Sequence, residues 1–506
     1  MGLHDFTFYD VICRNAALYG DRPAWFEASD GSECSFSALR ERVGRLAAGM
    51  QQIGVSKGDR VGVLGKNSLA YFLVYGAAAA LGAIVLPINW RLSKDEVIFN
   101  LNDCEPKVLF VDDAYQGLIH GVLDRIPSVE SCRNLSGGTF GDFDALMDNE
   151  GVFRRTDIFS DDGFVIIHTA AVAGRPRGAL LSHANVLAAN LNIGSGLGVT
   201  PGDVHLNLLP LFHVGGLFMA SSAFHAGSLN VNMRKFDAEL AVTLIQEKKV
   251  SLFFDFTPIL GQILKEAETS GKSIATLQKV IGLEAPETID RYHTVTGGTF
   301  YCMYGQTETS CISTLAPYRD RPGSAGKAVP LAAVRLVDED DRPVAPGEVG
   351  EIAVKGPTVF KGYWNMEADT ASAFRGGWHH TGDMGKFDRD GYLFYAGRRP
   401  DKELIKPGGE NVYPAEVEAV IMEHPDVDAT VVFGVPDPRW KEGIKAVCTL
   451  KNSSRLTPEA LIAFVGDRIA RYKKPQYVTW VDEMPTKEDG TPDREKIKAL
   501  YGGEQG

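Results

Sequence analysis

The chain has 506 residues, of which 44% are hydrophobic and 23% are charged, and its formal net charge is -13. This length exceeds what one hydrophobic core usually serves, so two or more domains are expected, and the composition excludes a disordered or fibrous protein. An acidic surface repels nucleic acids and anionic lipids, so we expect no nucleic-acid partner and a local basic site for any anionic ligand.

Segments that read as helices and strands alternate through the first 280 residues. A helix is predicted over 39–53, and short apolar strands are predicted at 60–65, 107–111, 206–209 and 252–255. Strands and helices of these lengths in alternation predict an α/β architecture with largely parallel sheets.

One segment in this half has the length of a membrane-spanning helix. Residues 67–90 carry no charged side chain. Four alanines at 77–80, followed by Gly82 and then Pro87, favour a buried helix, a glycine break and a buried strand instead. We therefore expect no integral membrane segment.

The pattern changes after Tyr304. Short alternating runs with glycine and proline between 323 and 360 predict a β-rich subdomain. Beyond residue 398 come charged turns, helices at 414–423 and 458–470, and apolar strands, enough for a small α+β domain. We predict a large N-terminal domain over 1–400, built of parallel-sheet βα subdomains and the β-rich part, and a small mobile C-terminal domain over 401–506.

The cysteines are scattered along the chain. There are seven, without the paired or close spacing of disulfide frameworks or metal sites. The first ten residues are acidic and aromatic and do not have the basic and apolar regions of a signal peptide. Reduced thiols and a cytoplasmic location are therefore expected.

Three separated motifs carry chemical information. The first, Tyr304 to Glu308 (YGQTE), combines an aromatic face, a glycine that permits close backbone approach, a hydroxyl and a carboxylate, which suit a nucleotide with its metal. Alone it could equally be a turn into a helix. The others are 377–383 (GWHHTGD) with Gly397-Arg398, and 406–418 (KPGGENVYPAEVE).

With these motifs in this order, the chain resembles the adenylate-forming superfamily of acyl-CoA synthetases, aryl-CoA ligases, luciferases and peptide-synthetase adenylation domains. Further matches are Leu209 to His213, Gly347 to Ile352 and Tyr363 to Asn365. The resemblance extends from Phe8 to Lys498. It implies activation of a carboxylic acid with ATP and Mg²⁺, followed by transfer to coenzyme A.

The resemblance also implies roles for individual residues of the nucleotide site. Tyr304 would stack on adenine, Thr307 would hold the α-phosphate, Glu308 would bind magnesium and Asp383 would hold the ribose hydroxyls. His213 would flank the acyl pocket, although a buried structural histidine is the alternative. The remaining implied nucleotide positions are Thr169, Gly174, Arg177, Glu284, Ala285, Gly305, Gln306, Tyr395 and Arg398.

The C-terminal part carries the implied coenzyme A elements. Gly408 and Gly409, with Glu410 beside them, would border the channel of the thin pantetheine arm. The family's small domain rotates between the two half-reactions, and Lys402 best matches the hinge, with Asp401 as the alternative. Lys406 is a further implied catalytic position.

Two catalytic stretches depart from the family pattern. Relatives wrap the ATP phosphates with T-S-G-T-T-G-x-P-K-G, whereas residues 169–178 read TAAVAGRPRG, with arginine in place of the lysine. Relatives also carry P-K-T-x-x-G-K, whose last lysine bridges substrate and α-phosphate, whereas Thr491 occupies that position. Lys487, Arg494 or Lys496 could replace it. A milder change is Leu283-Glu284 in place of two glycines.

Three interpretations follow. The first is an AMP-forming acyl-CoA synthetase with substitute phosphate contacts. The second is an enzyme tuned toward the thioester half-reaction or toward the reverse reaction, from acyl-CoA, AMP and pyrophosphate to ATP. The third is a binding protein that has lost catalysis.

The expected substrate is an apolar fatty, alicyclic or aromatic acid. The implied pocket positions, His213, 254–258, Leu283 and 302–305, include no basic residue apart from that histidine. Free coenzyme A is the expected acceptor, and a homodimer is a further expectation.

Overall fold

The structure is a computed structural model that describes residues 2–172, 175–399, 403–451, 455–487 and 491–503. The helices are α1 Phe8–Tyr19, α2 Phe36–Gln52, α3 Leu69–Leu81, α4 Lys94–Cys104, α5 Gln116–His120, α6 Phe143–Leu146, α7 His183–Leu197, α8 Val214–Ala226, α9 Ala238–Lys248, α10 Ile259–Ser270, α11 Pro286–Thr296, α12 Glu367–Ala373, α13 Pro414–Met422, α14 Pro458–Gly466 and α15 Arg494–Tyr501.

The strands are β1 Pro23–Glu27, β2 Glu33–Ser35, β3 Arg60–Leu64, β4 Ile84–Ile88, β5 Val108–Val111, β6 Ser131–Asn134, β7 Gly163–Val172, β8 Arg175–Ser182, β9 Val204–Asn207, β10 Leu229–Asn232, β11 Leu252–Phe256, β12 Lys279–Leu283, β13 Thr299–Tyr304, β14 Thr314–Pro317, β15 Lys327–Ala328, β16 Ala333–Val337, β17 Val349–Lys355, β18 Gly362–Tyr363, β19 Phe374–Arg375, β20 Trp378–Phe387, β21 Leu393–Arg398, β22 Val427–Asp437, β23 Lys441–Leu450 and β24 Tyr477–Trp480.

These elements fall into two compact units. Unit 1 comprises Met1–Trp90, Leu101–Ile167 and Gly178–Gly397. Unit 2 comprises Arg91–Asn100, His168–Arg177 and Arg398–Gly506. The predicted boundary at residue 400 stays a prediction.

Unit 1 contains two large sheets and one small sheet. The first has the strand order β15-β14-β13-β12-β11-β9-β10-β1-β2 and is parallel from β13 to β1. The second has the order β18-β8-β7-β4-β3-β5-β6, with parallel pairs among β7, β4, β3, β5 and β6. Strands β16, β17, β20 and β19 form an antiparallel sheet, with β21 beside β20. The predicted α/β class with a β-rich subdomain is confirmed.

The uncharged segment 67–90 folds as its composition predicts. Every residue of α3 except Ala70 is buried, because alanines and Gly76 let neighbouring elements approach closely from all sides. Gly82 ends the helix in the left-handed conformation, and β4, buried throughout, lies in the interior of a parallel sheet. Among the described residues, no helix is long and apolar enough to cross a membrane.

Unit 2 is built around the sheet β22-β23-β24. One face of this sheet packs on α13 and α14 through apolar residues that include Val417, Leu461 and Ile444. The other face packs on α15 through Ile497 and Phe433. The helix expected over 458–470 ends at Gly466.

Candidate active site

The fold of unit 1 brings several of the predicted site residues to one edge of a sheet. Strands β13, β12, β11 and β9 are neighbours and parallel, so their carboxyl ends lie at the same edge. In open α/β sheets this edge is where ligands bind. Tyr304, Leu283 and Phe256 end three of these strands, and His213 follows the fourth.

Asp383 is the centre of a polar cluster at this edge. It is buried, with 3% of its surface exposed. One carboxylate oxygen, Oδ2, accepts hydrogen bonds from the Tyr304 hydroxyl, at 2.8 Å, and from Gln306 Nε2. The Tyr395 hydroxyl lies 3.5 Å from Oδ1, and the Tyr304 and Tyr395 rings lie 6.4 Å apart at 26°. Four predicted nucleotide residues are therefore in contact.

Glu308 is also buried, in a single turn of 3-10 helix that begins at Thr307. Its Oε1 accepts a hydrogen bond from the Tyr363 hydroxyl at 2.8 Å. No residue in the described part of the chain hydrogen-bonds its Oε2. Magnesium is usually held by one or two carboxylates plus substrate phosphates, so a carboxylate with an oxygen to spare fits that ion. A side chain at Gly305 is impossible, because its Cβ would lie 1.9 Å from the Cys311 carbonyl oxygen.

Glu284, which stands in place of a glycine, braces the turn after β12. Its Oε1 accepts hydrogen bonds from the Thr257 hydroxyl at 3.0 Å and from the Ala285 amide at 2.7 Å. Ala285 is the N-cap residue of α11, and Pro286 begins that helix. The extra carboxylate thus ties β12 to the chain that follows β11.

Aromatic side chains surround the predicted acyl position. His213 precedes α8, and its Nδ1 accepts the Gly215 amide at 3.1 Å, which places the proton of the neutral ring on Nε2. The centroids of the His213 and Phe256 rings lie 6.1 Å apart in an edge-to-face arrangement, and those of Phe254 and Phe256 lie 5.1 Å apart. Leu283, the register partner of Phe256, is 46% exposed.

The predicted phosphate stretch, 169–178, is largely extended. Strand β7 continues through Val172, and β8 begins at Arg175. The Thr169 hydroxyl donates to the Arg177 carbonyl at 3.3 Å. Gly174 lies outside the described residues.

The predicted coenzyme A residues lie in a turn of unit 2. Gly408 has φ of 59°, and a Cβ there would lie 2.9 Å from the Trp440 ring, so both conformation and space require glycine. Gly409 completes this 3-10 turn. The backbone amide of Lys406, just before the turn, donates to Glu442 at 2.7 Å.

Two more predicted residues of unit 2 make polar contacts. Glu410 forms an ion pair with Arg91. Arg398 donates to the Tyr413 hydroxyl at 2.9 Å. Lys402 and Asp401, the alternative hinge residues, lie outside the described residues.

The structure separates the three candidates for the missing lysine. Lys487 donates its amide to the Thr491 carbonyl at 2.8 Å, and Thr486 pairs antiparallel with Pro492, so Lys487 and Thr491 are directly opposed in a hairpin. Directly opposed residues have their side chains on the same face. Lys487 is exposed and its ammonium has no partner in the described ranges.

The other two candidates are placed differently. Arg494 is committed to ion pairs with Glu418, at 2.6 Å, and Glu403, at 3.4 Å. Lys496 is exposed on α15.

Two residues in contact with this site were not predicted as site residues. Tyr363 donates to Glu308, and Glu351 accepts the amide of Gly382, next to Asp383. Both belong to matched motifs, which is the signal that marks them. Their contacts span 55 and 31 residues of sequence and follow only from the fold.

Comparison with known proteins agrees with the family resemblance that the motifs indicate. The family model described as AMP-binding enzyme matches residues 12–364, and that of the AMP-binding enzyme C-terminal domain matches 416–491. Indoleacetate–CoA ligase of Aromatoleum aromaticum is 33% identical over 477 residues, covering 92% of this chain and 93% of that protein.

Solved structures similar to this chain also include coenzyme A ligases. A Rhodopseudomonas palustris protein assigned provisionally as a long-chain-fatty-acid CoA ligase is 46% identical, with a TM-score of 0.75, covering 78% of this chain and 100% of that one. A Bacillus subtilis o-succinylbenzoate CoA synthetase double mutant, bound to a product analogue, is 26% identical, with a TM-score of 0.85 and 98% of each chain covered.

The predicted enzyme class, an acid–thiol ligase that forms AMP, is confirmed by these relatives. The chain therefore belongs to the family of AMP-binding enzymes, the adenylate-forming superfamily.

Proposed function

We propose that this enzyme converts an apolar carboxylic acid, fatty, alicyclic or aromatic, into its coenzyme A thioester. A carboxylate oxygen attacks the α-phosphorus of ATP, the bond to the bridging oxygen breaks, and acyl-AMP and pyrophosphate form. The coenzyme A thiol then attacks the acyl carbonyl, gives up its proton and releases AMP.

The apolar edge around Phe256 carries the substrate proposal. Phe256, Leu283 and His213 give aromatic and aliphatic surface at the sheet edge where Tyr304 also lies, and the buried Phe254 packs behind Phe256. Burial raises the pKa of Cys302, another pocket position, to about 11, so this thiol stays neutral and also behaves as an apolar group. Burial of a second carboxylate here would lack a lysine or arginine partner from these positions. The indoleacetate relative, whose named substrate is aromatic, supports this class.

The adenylation half-reaction uses charged groups of the chain. Asp383 would orient the nucleotide by accepting hydrogen bonds from the ribose hydroxyls, and Tyr304 would stack on adenine. Glu308 is the residue that would hold Mg²⁺, which, when bound, neutralises phosphate charge. Lys487 is the described cation best placed to replace the lysine absent at position 491.

A panel of acids tests the proposal. Pyrophosphate release is measured with aryl-acetic, medium-chain fatty and alicyclic acids, and with o-succinylbenzoate and short dicarboxylates as matched charged substrates. Higher kcat/KM for the apolar acids supports the proposal. A dicarboxylate as the best substrate would contradict it, and thioester formation from synthetic acyl-AMP without any pyrophosphate release would favour the interpretation limited to the second half-reaction.

Location and assembly are separate parts of the proposal. All seven cysteines are free thiols, which supports a reducing compartment such as the cytoplasm. A homodimer is proposed as well, and the molar mass from light scattering, twice that of the 55.0 kDa chain or equal to it, decides between the two states.

A further inference from the structure

Asp383 lies in a β-bulge of the small antiparallel sheet of unit 1. Strands β17 and β20 pair Glu351 with Met384 and Ala353 with His380. Between these pairs β17 has one residue, whereas β20 has three, residues 381–383. Extra residues in one strand leave the ladder and redirect their side chains. The bulge therefore lets Asp383 reach Tyr304 on the neighbouring sheet edge.

One buried carboxylate fastens this bulge. Glu351, with 4% of its surface exposed, accepts the Gly382 amide on Oε1 at 2.9 Å. Its Oε2 lies 3.1 Å from His380 Nδ1 and 3.3 Å from Arg375 Nη2. Oε1 thus binds the bulge itself, whereas Oε2 lies against Arg375, whose Nη2 is also 2.8 Å from His380 Nδ1.

A hydroxyl braces the same bulge from inside. The Thr381 hydroxyl donates to the Ile352 carbonyl at 2.7 Å and accepts the Asp383 amide at 3.1 Å. Together, Thr381 and Glu351 satisfy two backbone amides that the bulge removes from the ladder. Buried amides without partners are costly, so these side chains fix the bulge in one conformation.

The guanidinium of Arg375 compensates the buried charge of Glu351. Arg375 contacts Glu351 and also Asp341, at 3.2 Å, and its side chain is 39% exposed. Arg375 thus balances the negative charge of Glu351, and Glu351 contacts the bulge through the Gly382 amide.

We propose that Glu351 is a positioning residue for the nucleotide, which acts through Gly382 to hold the Asp383 carboxylate where the ribose hydroxyls bind. The inference rests on the proposed role of Asp383. Glu351 itself would touch neither ATP nor the acid.

The test compares ATP with dideoxy-ATP, which lacks the ribose hydroxyls. Glu351→Leu is expected to raise KM for ATP at least about tenfold, leave KM for the acid unchanged and lose most of the preference for ATP, because a charged hydrogen-bond acceptor is removed. Glu351→Gln keeps an acceptor for Gly382 and is expected to stay within about threefold of wild type. Glu348→Leu is the matched control, since Glu348 is exposed and its carboxylate accepts the Ala345 amide of the same turn.

A second variant covers the case in which Glu351→Leu does not fold. Thr381→Val removes the other brace and is expected to weaken discrimination between the two nucleotides in the same way. Unchanged discrimination in whichever of Glu351→Leu and Thr381→Val folds, judged by circular dichroism, would overturn the inference.

Asp383→Asn separates this inference from the proposed function. If that variant keeps the preference for ATP, the assignment of Asp383 fails and the role of Glu351 fails with it. If it loses the preference while Glu351→Leu keeps it, only the positioning role is wrong.

Discussion

Replacing Lys487 with methionine is expected to slow acyl-adenylate formation about a hundredfold. An anionic carboxylate that attacks an anionic phosphate needs a fixed cation, and loss of one such contact raises the barrier by about 3 kcal/mol. Since each ~1.4 kcal/mol is a factor of ten, the expected loss is roughly two orders of magnitude. Methionine keeps the apolar stem and removes only the charge.

The hairpin geometry is what selects Lys487. Directly opposed residues in a hydrogen-bonded antiparallel pair have Cα atoms about 5.5 Å apart. A lysine side chain, with its four-carbon stem, spans that separation. The ammonium of Lys487 can therefore occupy the space that a lysine at Thr491 would fill.

Pyrophosphate exchange measures the adenylation half-reaction alone, and thioester formation from synthetic acyl-AMP measures the second. Lys487→Met should lose pyrophosphate exchange and keep thioester formation from acyl-AMP. The double variant Lys487→Met with Thr491→Lys moves the charge across the hairpin and should recover most of the exchange rate. Lys496→Met is the matched control. Exchange at the wild-type rate in Lys487→Met, or its loss in Lys496→Met, would refute the reasoning.

Three further predictions concern other parts of the molecule. Glu308→Gln keeps an acceptor for Tyr363 but removes the charge, so pyrophosphate exchange at saturating Mg²⁺ should fall about a hundredfold. Gly408→Ala should slow thioester formation from synthetic acyl-AMP and leave exchange unchanged, because a Cβ meets the Trp440 ring and a left-handed alanine costs about 1 kcal/mol. Burial lowers the pKa of His205 from 6.5 to about 4, so the unfolded chain takes up the proton first as pH falls. The stability that this residue contributes above pH 6.5 should therefore drop by about 3 kcal/mol by pH 4, and His205→Asn should flatten that slope in thermal melts.

Each of these has a control and a contradicting result. Glu339→Gln, at an exposed carboxylate, should leave exchange intact, and equal rates in both glutamate variants would remove Glu308 from the metal site. Gly194→Ala adds a methyl with nothing within 4 Å and should be silent. A substitution of the exposed His4 is the control and should leave the pH dependence of stability unchanged. If His205→Asn also leaves it unchanged, other groups cause the acid sensitivity.

Composition was enough to predict the buried helix and strand within residues 67–90. Alanines at 77–80 and Gly82 distinguish a tightly packed helix and strand from a membrane span, because close packing needs small residues. The family resemblance assigned Tyr304 and His213 to one site, and the structure gives the physical reason, because parallel strands bring their carboxyl ends to the same sheet edge.

The sequence did not reveal the register of the paired strands, that is, which residues lie opposite each other. The role of Glu351 depends on which residue of β20 it faces, and the bulge of three residues is not encoded by periodicity. The pairing of Lys487 with Thr491 likewise follows from the hairpin. Comparison with the family motif shows only that position 491 is no longer lysine, and it does not show which residue lies opposite. In both cases a side chain acts across a strand pair, where sequence neighbours give no signal.

The placement of the altered residues also bears on reaction direction. Thr491 replaces a lysine that would neutralise phosphate charge during adenylation, and Arg177 keeps the positive charge of the lysine it replaces, whereas Gly408 and Gly409 keep the family pattern. Attack of the acid on ATP and attack of pyrophosphate on acyl-AMP cross the same transition state, so a missing cation slows both to the same degree. These substitutions therefore do not by themselves favour the reverse reaction. They predict a slow adenylation step in either direction beside a normal thioester step, unless Lys487 supplies the charge, and the ratio of the two half-reaction rates in the wild-type enzyme decides between these cases.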